Sequence, residues 1–180
     1  MNDFVFESSP FGFRSFARGK DKPFKNSIVL LTSAGNHYVD RDTVTRNIDQ
    51  IDKYKVIIGK VVPSNGEVDV TPEIGYKVTT TPKVLPPGVI NSETYLLLSV
   101  FNTEHEAINF SEYFSLKMPR FLLKQTLSSM NISQKSFQFV PKLDAKIKWT
   151  DEMLFDFFNL SSNEANYIDS IIRPMQKEDE

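Results

Sequence analysis

The chain has 180 residues, 40% of them hydrophobic, enough for one domain with a real core. It has no cysteine, which excludes disulfides, a cysteine nucleophile and thiolate metal sites and leaves the reducing cytoplasm as the expected location. No stretch approaches the ~20 apolar residues that span a bilayer, and the start MNDFVFESSPFG has no basic segment followed by an apolar run; a soluble protein without a membrane partner is expected.

The formal net charge of −2 conceals segregation along the chain. Residues 1–60 carry ten Lys/Arg against seven Asp/Glu, and residues 117–148 carry seven against one. Residues 61–116 and 149–180 are acidic, with two basic residues each against seven and eight acids. Phosphate binding needs local positive potential rather than a basic pI, so the two positive segments qualify as polyanion-facing surfaces. The bland alternative is a set of solvated charges that cancel in three dimensions.

In chain order, Ser27 to Thr32 (SIVLLT) reads as a buried strand, followed by a turn at Ser33-Ala34-Gly35-Asn36 and a return strand from Tyr38. Val44, Ile48 and Ile51 are spaced by four and three, which predicts a helix from Thr43 to Ile51 with Asp42 as N-cap. Tyr54 to Val62 reads as a strand and Pro63 to Gly66 as a loop; residues 63–92 hold five prolines and favour extended segments. Thr94 to Phe101 is the strongest strand pattern. Asn102 or Thr103 caps a helix to about Leu116, and a second helix runs from Pro119 to about Ser129. Ser136 to Val140 reads as a strand. Thr150-Asp151-Glu152 opens a short helix, Ser161 to Glu164 has capping-box spacing ahead of Ala165, Ile168, Ile171 and Ile172, and Pro174 stops that last helix before a frayed QKEDE. The pattern predicts a single mixed α/β domain. It has a curved mixed sheet with flanking helices, a loop-rich segment at 1–26 and a small C-terminal helical pair at 149–180.

Catalytic chemistry is hard to place. Asp69, Glu73 and Lys77 are the nearest approach to a magnesium nuclease site, but Glu73 and Lys77 lie four apart, so they do not share a strand face at the usual spacing of two. His37, Asp40 and Asp42 offer N and O ligands in principle, although a lone histidine beside a helix cap is the more ordinary reading. The seven glycines are scattered and form no phosphate cradle. Recognition is left. Arg14, Arg18, Lys20, Lys22 and Lys25 interleave with Phe11, Phe13 and Phe16, of which at least two belong to the core. Arg41, Arg46, Lys53, Lys55 and Lys60 surround a helix-to-strand junction. Arg120, Lys124 and Gln125 fall near one helical face, and Asn131, Gln134 and Lys135 lie in the polar stretch SSMNISQK; Arg, Asn and Gln are the side chains that read base edges.

Five stretches in order carry a family resemblance: SSPFGFRSFARGKDK, YVDRD, NIDQIDKYKVIIGK, ETYLLLSVFNTEHEA and SFQFVPKLD. Together they resemble the C-terminal target-recognition region of adenine-specific DNA methyltransferases from restriction–modification systems, including fused restriction enzymes with a TaqI-like specificity domain. The resemblance implies a domain that clamps double-stranded DNA and reads a short sequence for a catalytic domain in cis or in trans. Related chains often carry a longer glycine-rich segment where this one has Pro63 to Pro72, which implies that target specificity differs there. The family's Asn/Asp-Pro-Pro-aromatic motif is represented only by Leu85-Pro86-Pro87-Gly88, and Leu85 cannot accept the hydrogen bond of a target amino group. The chain is therefore expected to be a non-catalytic module of a larger protein, with Phe4-Val5-Phe6 leading into a motif that lies deep inside longer relatives. S-adenosylmethionine and a flipped adenine are implied for the parent alone. Two rival readings stay open: a protein-interaction module docking through Met153, Leu154, Phe157 and Phe158, and a small divergent nuclease using Asp69.

Overall fold

The computed structural model describes residues 5–62, 75–127 and 131–175. The acids Asp69 and Glu73, the loop at 63–66, the segment 128–130 and the tail 176–180 lie outside the described residues. Among the described residues six strands come first: β1 (Ser27–Thr32), β2 (Gly35–Asp40), β3 (Tyr54–Gly59), β4 (Lys83–Leu85), β5 (Val89–Asn91) and β6 (Tyr95–Phe101). Four helices follow: α1 (Glu104–Ser115), α2 (Lys117–Lys124), α3 (Asp151–Phe157) and α4 (Ser162–Ile171). The class is mixed α/β, as the sequence pattern predicts. Its strands divide between two three-stranded sheets, β2-β1-β5 and β4-β3-β6. The first is mixed, with β1 antiparallel to β2 and parallel to β5; the second is antiparallel throughout.

The second sheet forms the middle layer because β3 (YKVIIG) and β6 (YLLLSVF) each bury four consecutive residues. Runs of that kind belong to strands covered on both faces. Val56, Ile58, Leu96 and Leu98 join Ala107, Phe110, Tyr113 and Phe114 of α1 in one core cluster. Ile57, Leu97 and Leu85 join Phe11, Ile28, Leu30, Val39 and Ile90 in a second. The register steps between Val56 and Ile57, so that Val56 faces Ser99 while Ile57 faces Leu97 and Leu98 is passed over. Such a bulge adds local twist to an antiparallel pair.

Helix ends follow their capping chemistry. The Thr103 side chain accepts from the Glu106 N–H at the start of α1, and Thr150 does the same for Met153 in α3. Ser161 and Glu164 form the expected reciprocal box on α4. The start of α2 is capped from a distance, because the Asp151 carboxylate accepts from the backbone N–H groups of Lys117 and Met118, both at 3.1 Å. The helix therefore opens two residues before Pro119, which still lies in its first turn, and it ends at Lys124. The C-terminal pair is packed into the main core through Leu154, Ile168 and Ile172, and Ile172 bridges Tyr76.

Two expected elements are replaced by short 3-10 turns. From 43 to 51 no α-helix forms; turns at Arg41–Thr43, capped by Asp40 rather than Asp42, and at Ile48–Gln50 flank Asn47, whose φ of 47° breaks any helix. The Asn47 side chain instead donates to the Pro10 carbonyl at 2.6 Å. Val44 and Ile51 still reach the core, but Ile48 is exposed. At 136–140 the expected strand gives way to a 3-10 turn at Gln134–Phe137, closed by a reciprocal Ser133/Ser136 capping box.

One buried cation fastens the turn ahead of β3. Lys55 is fully buried, and its ammonium donates to the carbonyls of Ile51 at 2.8 Å, Gln50 and Lys53. Three acceptors match its three protons, while burial pushes its pKa down to about 8. The unfolded chain, with an ordinary lysine, therefore binds more protons than the folded one between pH 8 and about 10, so this residue's contribution to stability rises with pH across that window. Thermal melts of wild type and Lys55→Met should show the wild type gaining on the variant from pH 8 to 10. A constant gap would mean that Lys55 titrates normally.

Candidate nucleic-acid interface

The two positive segments of the sequence meet past the end of β3, the central strand of the middle sheet. Past the end of β3, Val61 pairs with Asn131, and the Ile132 N–H donates to the Lys60 carbonyl at 2.8 Å. Beside this junction the Gln134 amide donates to the Val5 carbonyl at 2.7 Å, which ties the N-terminal segment to the same place. Asn131, Gln134 and Lys135 are exposed there.

Three cations converge on the adjoining surface. The Lys60 ammonium lies 2.9 Å from Ser8 Oγ and 3.4 Å from Glu93 Oε1, and Arg14 Nε lies 3.2 Å from Glu93 Oε2. Arg46 donates to the Ser8 carbonyl at 3.4 Å. Ser8 Oγ donates to Glu93 at 2.9 Å, and the Glu93 backbone N–H donates to the Phe13 carbonyl at 2.9 Å, so one carboxylate organises the whole group. The Ser8 hydrogen bond, then those of Lys60 and the charge of Arg14, hold Glu93 below the usual carboxylate range. Ionised Glu93 offsets one of the three positive charges, and Arg14 is 66% exposed, so the surface keeps an accessible positive excess.

The N-terminal loop that supplies Arg14 carries further cations. Arg18 folds back onto the carbonyls of Ala17 (2.8 Å) and Ser15 (3.3 Å). Lys20 pairs its backbone with Tyr38 and sets its ammonium 4.3 Å from the centre of the Phe24 ring. Lys22 and Lys25 are exposed. Phe11 is buried and Phe13 half-buried against the second core cluster, whereas Phe16 is exposed.

Several expected contact residues are not part of this surface. Lys55 is enclosed beneath its turn. Arg120 is wholly buried, its Nε donating to the carbonyls of Ser115 (3.1 Å) and Leu116 (3.0 Å) and Nη1 to that of Lys77 at 3.2 Å. Burial is the chief reason its pKa falls to about 10, partly offset by the nearby Asp151. Neither cation can reach a phosphate from where it sits. Lys124 lies over the Tyr76 ring at 4.0 Å, and Gln125 donates to its own helix at Phe121, so the expected basic face of α2 does not form. Arg41 is gripped in a two-bond fork by Asp52. Lys53 is half-buried and lends its carbonyl to Lys55. The sequence reading missed the roles of Ser8 and Glu93; both lie in stretches that carry the resemblance, but no periodicity marks Ser8 as the partner of a carboxylate 85 positions away.

His37 lies in β2 opposite Leu30, with Nδ1 3.9 Å from Asp21 and both ring nitrogens buried without a hydrogen bond. Among the described residues no three His, Cys, Asp or Glu side chains gather as a metal set, and no helix is long and apolar enough to cross a membrane. No family model, curated protein or solved structure matches the chain.

The burial of Arg120 gives a direct test of its structural role. Removing it leaves three carbonyls and the neighbouring Asp151 without their cation, a loss of about 3 kcal/mol. Urea denaturation of Arg120→Met should show a drop of that size. An unchanged midpoint would overturn the assignment.

Proposed function

We propose that this chain is a DNA-binding target-recognition domain that presents a short duplex sequence to a methyltransferase or restriction domain in cis or in trans. The observation that carries the reading is the meeting of the two cationic segments, with Arg14, Arg46 and Lys60 converging on Ser8 and Glu93 beside Asn131, Gln134 and Lys135. Cations supply salt-dependent grip on phosphates, and exposed Asn and Gln supply groups that distinguish bases. The ordered motifs that resemble TaqI-like specificity regions support the same reading. S-adenosylmethionine does not fit this chain: it has neither the glycine-containing cofactor loop nor the Pro-Pro motif with a polar first residue. Methyl transfer then belongs to the partner domain, and this chain acts by binding and orienting DNA.

A second reading is favoured by one observation. Met153 and Phe157 are exposed one helical turn apart on α3, and the Phe157 ring stands edge-on to Trp149 at 5.8 Å. An apolar patch on an acidic segment suits a protein partner, including the catalytic domain itself. Because α4 helps to fill the core, Phe157→Asp is a better probe of this patch than deletion of the tail.

Fluorescence anisotropy with a random-sequence duplex over a salt series tests the first reading. Binding on the order of micromolar at low salt is expected, falling steeply as salt rises. Arg46→Ala and Lys60→Ala should each weaken it several-fold and lower the salt slope by about one. Glu93→Gln, which removes the competing carboxylate, should tighten it. Absence of salt-dependent binding, or weaker binding by Glu93→Gln, would count against the proposal.

A further inference from the structure

Phe16 is 75% exposed, the most exposed large apolar side chain among the described residues. It is held out on a braced loop. On the incoming side Phe11 is buried, Gly12 donates to the Ser9 carbonyl at 2.9 Å, and the Phe13 carbonyl accepts from Glu93. On the outgoing side Lys20 and Tyr38 exchange two backbone hydrogen bonds, both at 2.8 Å. Neither end has room for a larger residue: a Cβ on Gly12 would collide with Thr45, and one on Gly19 with the Tyr38 carbonyl. Between these ends the Ala17 N–H donates to the Arg14 carbonyl at 3.0 Å, closing a turn, and Arg18 clips the carbonyls on either side of the ring.

We propose that Phe16 is a wedge that inserts into a base step of duplex DNA, with Arg14 and Arg18 beside it on the flanking phosphates. This rests on the DNA-binding reading and adds the contact that deforms the duplex. An exposed apolar ring with an exposed arginine two residues before it and another two residues after it suits a partner whose anionic groups border an apolar slot, which is what a stacked base step offers. An anionic lipid surface shares that chemistry, but membrane affinity scales with buried apolar area, and the ring's neighbours Ser15 and Ala17 are small. A single ring on a narrow turn fits a gap between bases better. Bracing at both ends limits what the loop must lose in freedom when it binds.

The test compares wild type, Phe16→Ala and Phe16→Trp on duplexes with and without a central mismatch, with 2-aminopurine beside the mismatch reporting unstacking. Phe16→Ala should bind about ten-fold more weakly while keeping the wild-type salt slope, since no charge is lost. Phe16→Trp should restore affinity, and wild type alone of the first two should prefer the mismatch and brighten 2-aminopurine. Equal binding and equal 2-aminopurine signal for wild type and Phe16→Ala overturn the wedge while leaving the DNA-binding reading intact. Wild type that ignores DNA overturns both. Phe16-dependent binding to phosphatidylserine vesicles without DNA binding overturns both in favour of a lipid surface.

Discussion

Burial of both faces of the β4-β3-β6 sheet is the constraint on which the rest of the structure depends. Val56, Ile58, Leu96 and Leu98 need the helices; Ile57, Leu85 and Leu97 need the other sheet. Neither layer can be removed without exposing a continuous apolar surface, because adjacent residues of β3 and β6 point opposite ways. The end of the sheet's central strand, β3, is therefore a rigid platform. There Lys60 and Val61 leave β3, and residues 131–132 come back to meet them. The charged group around Glu93 inherits its position from the most firmly packed strands in the chain.

The same packing sorts the basic residues into two kinds. Lys55 and Arg120 lie inside, where each donates to backbone carbonyls at turns and helix ends. Arg14, Arg46 and Lys60 lie at the rim around a single carboxylate. An interior cation is costly to bury and is held by the groups it serves; a rim cation stays available to an anion from outside. Charge counts along the sequence are blind to this distinction.

The elements legible in the sequence are those whose local chemistry agrees with their packing. Ser27 to Thr32 and Tyr95 to Phe101 are apolar runs that become buried strands, and Thr103, Thr150 and Ser161 cap the helices they precede. The failures have physical causes. Val44, Ile48 and Ile51 have helical spacing, but the left-handed Asn47 reaches across to Pro10 and the segment becomes a path between two core contacts. Ser136 to Val140 alternates like a strand, yet the Ser133/Ser136 box closes a turn that sends Phe137 and Val140 into the core three residues apart. At the candidate surface, Arg14, Arg46 and Lys60 were identifiable by type. Glu93, which draws two of them together, was not, because its partners Ser8, Arg14 and Lys60 come from remote stretches brought together only by the fold.

The proposed function requires these remote stretches to act together as one DNA-facing surface. The most direct measurement is amide hydrogen exchange with and without a duplex. A duplex should protect residues 8–19, 46–47, 60–61 and 131–135 together, with α3 and α4 unchanged. Protection confined to α3 and α4, or to one of the four stretches alone, would contradict the proposal.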